Sequence, residues 1–280
     1  MKIEILYQTQ YAYAEPVSLS SHLYRLFPKA DRDIVVRKVD FQTNIGAVIG
    51  FRRDLFDNEV ASVFYPGKTA LLGATLRLEL EISEKNAFGF LLDTYALNLP
   101  FSYKPEEQAV LAPYCSSAAP IDLPFWKPPI SPQPTVSVLV ELNSAIHEHF
   151  AYERRDEGEA RTPAETLALG SGACRDFSLL MAEVLRGMGL AARLASGYLC
   201  EFGEGERRAE GALHAWIETY LPGAGWVGFD PTNGTLCNHN HITAAVGLTP
   251  ADISPVLGRY FHDTHVPAQM HASLYLNEIV

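Results

Sequence analysis

Residues 170–193 read GSGACRDFSLLMAEVLRGMGLAAR and place a cysteine where a helix begins. Phe177, Leu180, Met181, Val184, Leu185 and Met188 recur at i, i+3, i+4, i+7, i+8 and i+11. That pattern is the wide apolar face of a buried helix. The spacing predicts a helix starting near Cys174. Gly187 and Gly189 mark its end, and Gly189 is the better C-cap. Just upstream, Thr162 and Glu165 make a capping-box pattern with Pro163 at the first helical position. A short helix there ends at Gly170. Gly, Ser, Gly and Ala then lead into Cys174 and leave open space beside it.

A thiol attacks as its thiolate, and a free cysteine has a pKa of about 8.5. A helix N-terminus stabilises the anion through unsatisfied N–H groups and the positive end of the dipole. The same N–H groups can receive an oxyanion. A single cysteine near a helix end is ordinarily a small core residue, so the case depends on its partners. A nucleophilic cysteine needs a base, and the base needs an orienting group. His214 opens the strand-like LHAWIETYL, and Asp230 closes GWVGFDP. LPGAG, residues 221–225, is a turn by composition. A three-residue turn at Leu221–Gly223 sets His214 opposite Asp230, whereas a four-residue loop puts them on opposite faces. Spacing alone leaves that register open.

Around this centre, residues 1–100 read as β-rich. ILYQTQYAYA, DIVVRKVDFQT, EVASVFYPG and ATLRLELEIS have strand composition. LRLELEI alternates cleanly, with Leu76, Leu78, Leu80 and Ile82 on one face. DLFDNEV carries a hairpin turn at Asp57-Asn58. Residues 101–135 are rich in proline and read as a linker or a loop strapped along a surface. TVSVLVELNSAIHEHFAY follows as a helix, and ERRDEGEAR, residues 153–161, as a solvated loop. The organisation expected is a β-rich domain over 1–100, a linker over 101–135, a core over 136–265 and a tail over 266–280.

The chain has 280 residues, 48% of them hydrophobic, enough for a sizeable core. It carries 22 basic and 33 acidic residues, a net charge of −11. With no Lys/Arg run, nucleic-acid and membrane partners are disfavoured. No stretch has the length and apolarity of a membrane span, and no signal peptide is evident. The expected location is the cytoplasm. Cys115, Cys174, Cys200 and Cys237 are irregularly spaced, so free thiols are expected.

Gly172-Ala173-Cys174-Arg175-Asp176-Phe177, then His214-Ala215-Trp216, then Gly225-Trp226 and Phe229-Asp230-Pro231-Thr232-Asn233, resemble the bacterial transglutaminase-like family of papain-like thiol enzymes. The segment from YQTQYAYAEP through DLFDNEV resembles the domain that precedes the core in bacterial members. The resemblance implies an α+β fold: an N-terminal β-rich domain, then a core with the Cys helix packed on an antiparallel sheet. It implies Cys174 as nucleophile, His214 as general base and acid, and Asp230 as the orienting carboxylate. Asp252 and Pro255 match positions read as structural. Tyr152 is a candidate second oxyanion donor, Trp216 and Trp226 are candidate walls of a substrate groove, and Asp176 is a candidate cap or ion-pair partner.

The expected reaction is acyl transfer from a peptide or carboxamide through a thioester, with hydrolysis by a protease or amidase favoured. Two alternatives stay open: crosslinking to an amine, and a binding module with a vestigial triad. The expected partner is a peptide or protein substrate. No cofactor is expected. His147 and His149 are two apart on a helix and do not face one another. Cys237, His239 and His241 are the one set that could offer zinc three ligands from a loop.

Overall fold

The computed structural model describes residues 1–44, 46–117, 121–155, 158–202 and 208–279. The first third is all strand: β1 (Lys2–Leu19), β2 (His22–Tyr24), β3 (Ile34–Thr43), β4 (Val48–Arg53), β5 (Glu59–Phe64) and β6 (Lys68–Ile82). The middle alternates short strands with helices: β7 (Asn98–Leu99), α1 (Pro105–Leu111), β8 (Gln133–Pro134), α2 (Thr135–His149), β9 (Ala151–Tyr152), α3 (Pro163–Leu169), β10 (Ser171–Gly172) and α4 (Cys174–Gly187). The last third is strand again: β11 (Ala192–Leu199), β12 (Arg208–Glu210), β13 (Ala212–Leu221), β14 (Gly225–Asp230), β15 (Thr235–Leu236), β16 (His241–Gly247), β17 (Val256–Leu257), β18 (Tyr260–Phe261) and β19 (Ala268–Ile279).

These elements build three main sheets, all antiparallel. One runs β12-β19-β1-β6-β3, with β18 also on β1; a second runs β17-β2-β5-β4. Together they form the N-terminal unit. Leu76, Leu78, Leu80 and Ile82 turn into its core, as their alternation requires. Asp57 closes the β4–β5 hairpin with φ of 60°, a conformation Asp tolerates better than most residues.

The third sheet, β15-β14-β13-β11-β16, belongs to the core that carries the site. Helix α4 packs on it through Phe177, Leu180, Met181 and Leu185, against Leu194, Ala215, Ile217 and Phe229. Leu142 and Ile146 of α2 close the same cluster. The α+β architecture of a Cys helix on an antiparallel sheet is therefore present.

Two expected boundaries change. Residues 266–280 were expected as a tail, yet β19 pairs with β1 from Lys2↔Ile279 to Tyr13↔Ala268. Leu274 and Leu276 alternate into the N-terminal core and give the strand its buried face. The chain thus returns to its beginning. Residues 101–135 do not span freely between domains. Their ends are joined where β7 pairs with β8. The loop between carries α1 and lays Leu123, Phe125 and Trp126 onto the core around α2 and α4.

The two units share packing. Tyr198 of β11 and Cys200 just after it, with Ile242 and Ala244 of β16, belong to the N-terminal cluster. The β4–β5 hairpin tip docks on edge strand β16. There fully buried Asn58 donates to the Val246 carbonyl and accepts from the Val246 N–H, both at 2.8 Å. One side chain so satisfies a backbone that would otherwise be an open sheet edge.

Candidate active site

The helix that starts at Cys174 is set by its neighbours. Thr162 and Glu165 form the expected capping box of α3, which ends on Gly170 at φ 64°. Gly172 must be glycine: an added Cβ would lie 2.9 Å from Phe177 and 3.0 Å from the Asp176 Cβ. Asp176 is completely buried. It accepts from the Ala173 N–H at 2.8 Å and the Arg161 N–H at 2.8 Å, and pairs with the Arg155 guanidinium at 2.5 Å. The first turn of α4 is thereby clamped to the loop before α3, in the capping and ion-pair role its position predicts. Of the polar loop 153–161, residues 156–157 lie outside the described residues.

The sheet delivers the other two groups. β13 and β14 pair from Ile217↔Phe229 to Leu221↔Gly225, leaving the three-residue loop Pro222–Ala224. This is one residue further along than a turn at Leu221–Gly223. Trp216 therefore lies level with Asp230, and His214 sits two residues on, on the same face. Beyond Ile217, β13 has no paired residue on β14. That open edge is where Ala215 gives its N–H to the Cys174 sulfur.

His214 Nε2 lies 2.8 Å from Asp230 Oδ2, with both side chains buried. The thiol of Cys174 is also hydrogen-bonded to the His214 ring, which leaves Nδ1 as the nitrogen facing sulfur. Asp230 is held from several sides. Oδ1 accepts from the N–H groups of Thr232 at 2.9 Å and Asn233 at 3.3 Å. Oδ2 accepts from Asn233 Nδ2 at 2.8 Å and faces His241 Nε2 at 3.2 Å.

These contacts decide the charges. Burial opposes ionisation of Asp230, but bonds from His214 and His241 outweigh it and hold the carboxyl well below its usual range. Burial alone would lower His214. Hydrogen bonds to Asp230 and Cys174, with their charges, push it up to about 10. Burial alone would raise Cys174. The His214 hydrogen bond and charge, the Ala215 N–H and Arg175 bring it below the ordinary thiol value. The pair titrates as a unit, and its arrangement favours thiolate with imidazolium. The remaining thiols go the other way: burial raises Cys115, pushes Cys200 up to about 12 and takes Cys237 well above its usual value.

The structure places the remaining candidates as follows. Tyr152 pairs through its backbone with Gly172, two residues before Cys174, and its ring is more than half exposed. Trp216 does not wall a groove. It is buried, with His214 stacked beside it at 6.3 Å between ring centres. Phe56 from the N-terminal hairpin packs in the same cluster. Trp226 lies at the other end of β14 from Asp230, under the Arg193 guanidinium at 4.2 Å. The strand's length thus separates it from the reacting groups. Among the described residues, no three His, Cys, Asp or Glu converge on a possible metal position, Cys237, His239 and His241 included. His241 faces Asp230 instead, a role that spacing alone does not reveal. No described helix is long and apolar enough to cross a membrane.

Comparison with known proteins agrees with this fold. Residues 128–231 match the model of the transglutaminase-like superfamily, and residues 3–81 match the bacterial transglutaminase-like N-terminal region. The chain belongs to the transglutaminase-like superfamily. An uncharacterized Mycobacterium tuberculosis protein is 35% identical over 133 residues, 45% of this chain and 42% of its own length. The chain thus spans less than half of that relative. A protein-glutamine gamma-glutamyltransferase of Pseudomonas aeruginosa is 32% identical over 108 residues, 36% of this chain and 16% of its own. A candidate cysteine protease from Cytophaga hutchinsonii has the same fold, with a TM-score of 0.65 over 98% of this chain and 90% of its own, at 16% identity.

Proposed function

We propose that this transglutaminase-like chain is a cysteine-dependent acyl-transfer enzyme acting on a peptide or carboxamide, with Cys174, His214 and Asp230 as its triad. The series Cys174–His214–Asp230 carries the reading: the thiol is partly exposed, His214 and Asp230 are buried, His214 Nε2 is fixed 2.8 Å from the carboxylate, and its other nitrogen is turned to sulfur. The thiolate attacks the carbonyl carbon. The resulting oxyanion is received by the Cys174 N–H, which at the first helical position has no helical acceptor. Tyr152 is the proposed second donor. His214 passes its Nδ1 proton to the leaving amine as the C–N bond breaks, and a thioester remains. Neutral His214 then takes a proton from the incoming nucleophile, which attacks the thioester and releases Cys174 as thiolate. Water gives a carboxylic acid, and a primary amine gives a new amide.

Hydrolysis is the favoured outcome, since the fold is shared over nearly the whole chain with the candidate protease. Crosslinking is the second reading, favoured by the resemblance to the Pseudomonas glutamyltransferase. The test is incubation with a mixed peptide pool, with and without a primary amine, and mass analysis of the products. New carboxylates support hydrolysis, and amine adducts support crosslinking. No Cys174-dependent change in either sample, with Cys174 no more reactive than an ordinary thiol, would leave a non-catalytic binding module.

A further inference from the structure

Asp230 Oδ2 serves more than one imidazole. His241 Nε2 lies 3.2 Å from it, on the oxygen that also holds His214. His241 opens β16, two strands away from β13 across β11. Its side chain is buried, 6% exposed. It meets Trp216 edge-on at 5.4 Å between ring centres and lies 6.3 Å from the His214 ring. Its other nitrogen, Nδ1, faces the Asn238 N–H at 3.4 Å. A backbone N–H can only donate, so Nδ1 accepts and the proton of a neutral ring falls on Nε2. The ring thus donates through Nε2 to the carboxylate.

We propose that His241 is a positioning residue for Asp230, pinning Oδ2 so that this oxygen holds His214 with its free nitrogen at the Cys174 sulfur. The inference rests on the triad reading. A second imidazole donor on Oδ2 suits the task, since a hydrogen bond to the ionised carboxylate favours that form. A short polar turn could supply Asn233 alone, but Asn233 reaches Asp230 from its own loop. His241 ties the carboxylate to a different strand, so β13, β14 and β16 are fixed to one another at the reacting end. Among the described residues, the charged and titratable groups acting on this cluster are Cys174 and Arg175 from α4, His214 from β13 and Cys237 from the loop before β16, with Glu218 and Lys85 acting on Cys237. His147 of α2 bonds the Thr232 carbonyl at 2.7 Å and steadies the turn after Asp230.

The test is the pH profile of Cys174 alkylation by iodoacetamide, mapped by peptide, in wild type, His241→Phe and His241→Gln. Phe keeps an aromatic ring against Trp216 and removes the donor; the Gln amide restores a donor at similar reach. In wild type the profile shows a thiolate formed below the ordinary thiol range. In His241→Phe the apparent pKa of Cys174 rises by about one unit, so half-titration needs about tenfold lower proton concentration than in wild type, and His241→Gln recovers most of the shift. Thermal unfolding is followed alongside, and His241→Leu replaces the Phe variant if that does not fold. An unchanged profile in the donor-free variant overturns the inference alone. So does an equal loss in Phe and Gln that tracks their thermal stability, since packing then explains it. An ordinary thiol profile in wild type overturns the triad reading and this inference with it.

Discussion

Cys174 and Cys237 are two thiols in the same corner of the fold: Cys174 is linked to the Asp230 carboxylate through His214, and Cys237 feels its charge directly. They are driven in opposite directions. Cys174 stands at a helix start with an imidazole and an N–H on its sulfur, and its pKa falls. Cys237 has its sulfur packed against Gly228, in a cluster with Trp216 and Phe56. Burial and the charges of Asp230 and Glu218 raise its pKa. His214 stands between Cys174 and the carboxylate and converts a repelling charge into a supporting one. Among the described residues, no imidazole acts on Cys237 in this way. Reactivity here follows the placement of one ring, not the presence of a thiol or a nearby acid.

The contrast breaks most completely if Cys174 is removed. Cys174→Ala should abolish turnover, measured with any substrate the peptide screen yields, and leave the thermal midpoint close to wild type. Residual wild-type turnover would move the chemistry to another group. Next in size is the labelling contrast itself. In the folded protein near neutral pH, Cys174 should alkylate at least about a hundred times faster than Cys237, because only the thiolate reacts. Peptide mapping reads both rates in one sample, and comparable rates would erase the distinction.

Asp230→Asn should lower kcat by about a thousandfold, in keeping with loss of the correct tautomer and of charge support. It should also reveal the pH logic. In wild type, activity rises as pH passes the lowered Cys174 value and falls as His214 loses its proton near about 10. The raised imidazole contributes stability fully below its ordinary 6.5, and this is lost as pH rises through about 10. The depressed Asp230 contributes above its ordinary 3.8, and this is lost as pH falls through its lowered value. With Asn at 230 the alkaline limit should move down toward the ordinary imidazole range. An alkaline limit unmoved from wild type would detach Asp230 from His214. Smallest is Asn58→Ala, which leaves the Val246 N–H and carbonyl unpaired at the seam between the two units. It should cost about 1–3 kcal/mol in denaturant unfolding, with Cys174 still alkylating faster than Cys237. No loss would mean that water replaces the side chain there.

Much of this was legible in residue order. The apolar period from Phe177 to Met188 required a buried helix, and Thr162-Pro163-Glu165 required the capped helix before it. LRLELEI required a strand with Leu76, Leu78, Leu80 and Ile82 inward. Cys174, His214 and Asp230 stood out because nucleophile, base and carboxylate sit at a helix start and at strand ends, where side chains can converge. Gly172 read as one of the small residues that leave open space beside the thiol, whereas Phe177 and Asp176 fill the place its Cβ would take.

Other features depended on contacts that local pattern does not encode. The β13–β14 register rested on whether the loop held three residues or four, and packing of Ile217 and Phe229 under α4 selected three. Trp216 has the same alternation whether it lines a groove or is enclosed; Ala195, Val246 and Cys237 of the core, with Phe56 of the docked N-terminal hairpin, enclose it. The strand at 268–279 has a partner more than 250 positions away, at β1, so its neighbourhood in sequence says nothing of its place in a sheet. His241 read as a loop histidine, one of three possible zinc ligands with Cys237 and His239, but not expected to hold a metal. Its position at the head of β16, with Asn238 on one nitrogen and Asp230 on the other, exists only once three strands lie side by side. Residue order set the chemistry available, because reactivity types and periodicities are local. The fold decided which groups meet, because burial, register and shared hydrogen bonds belong to pairs of residues far apart in the chain.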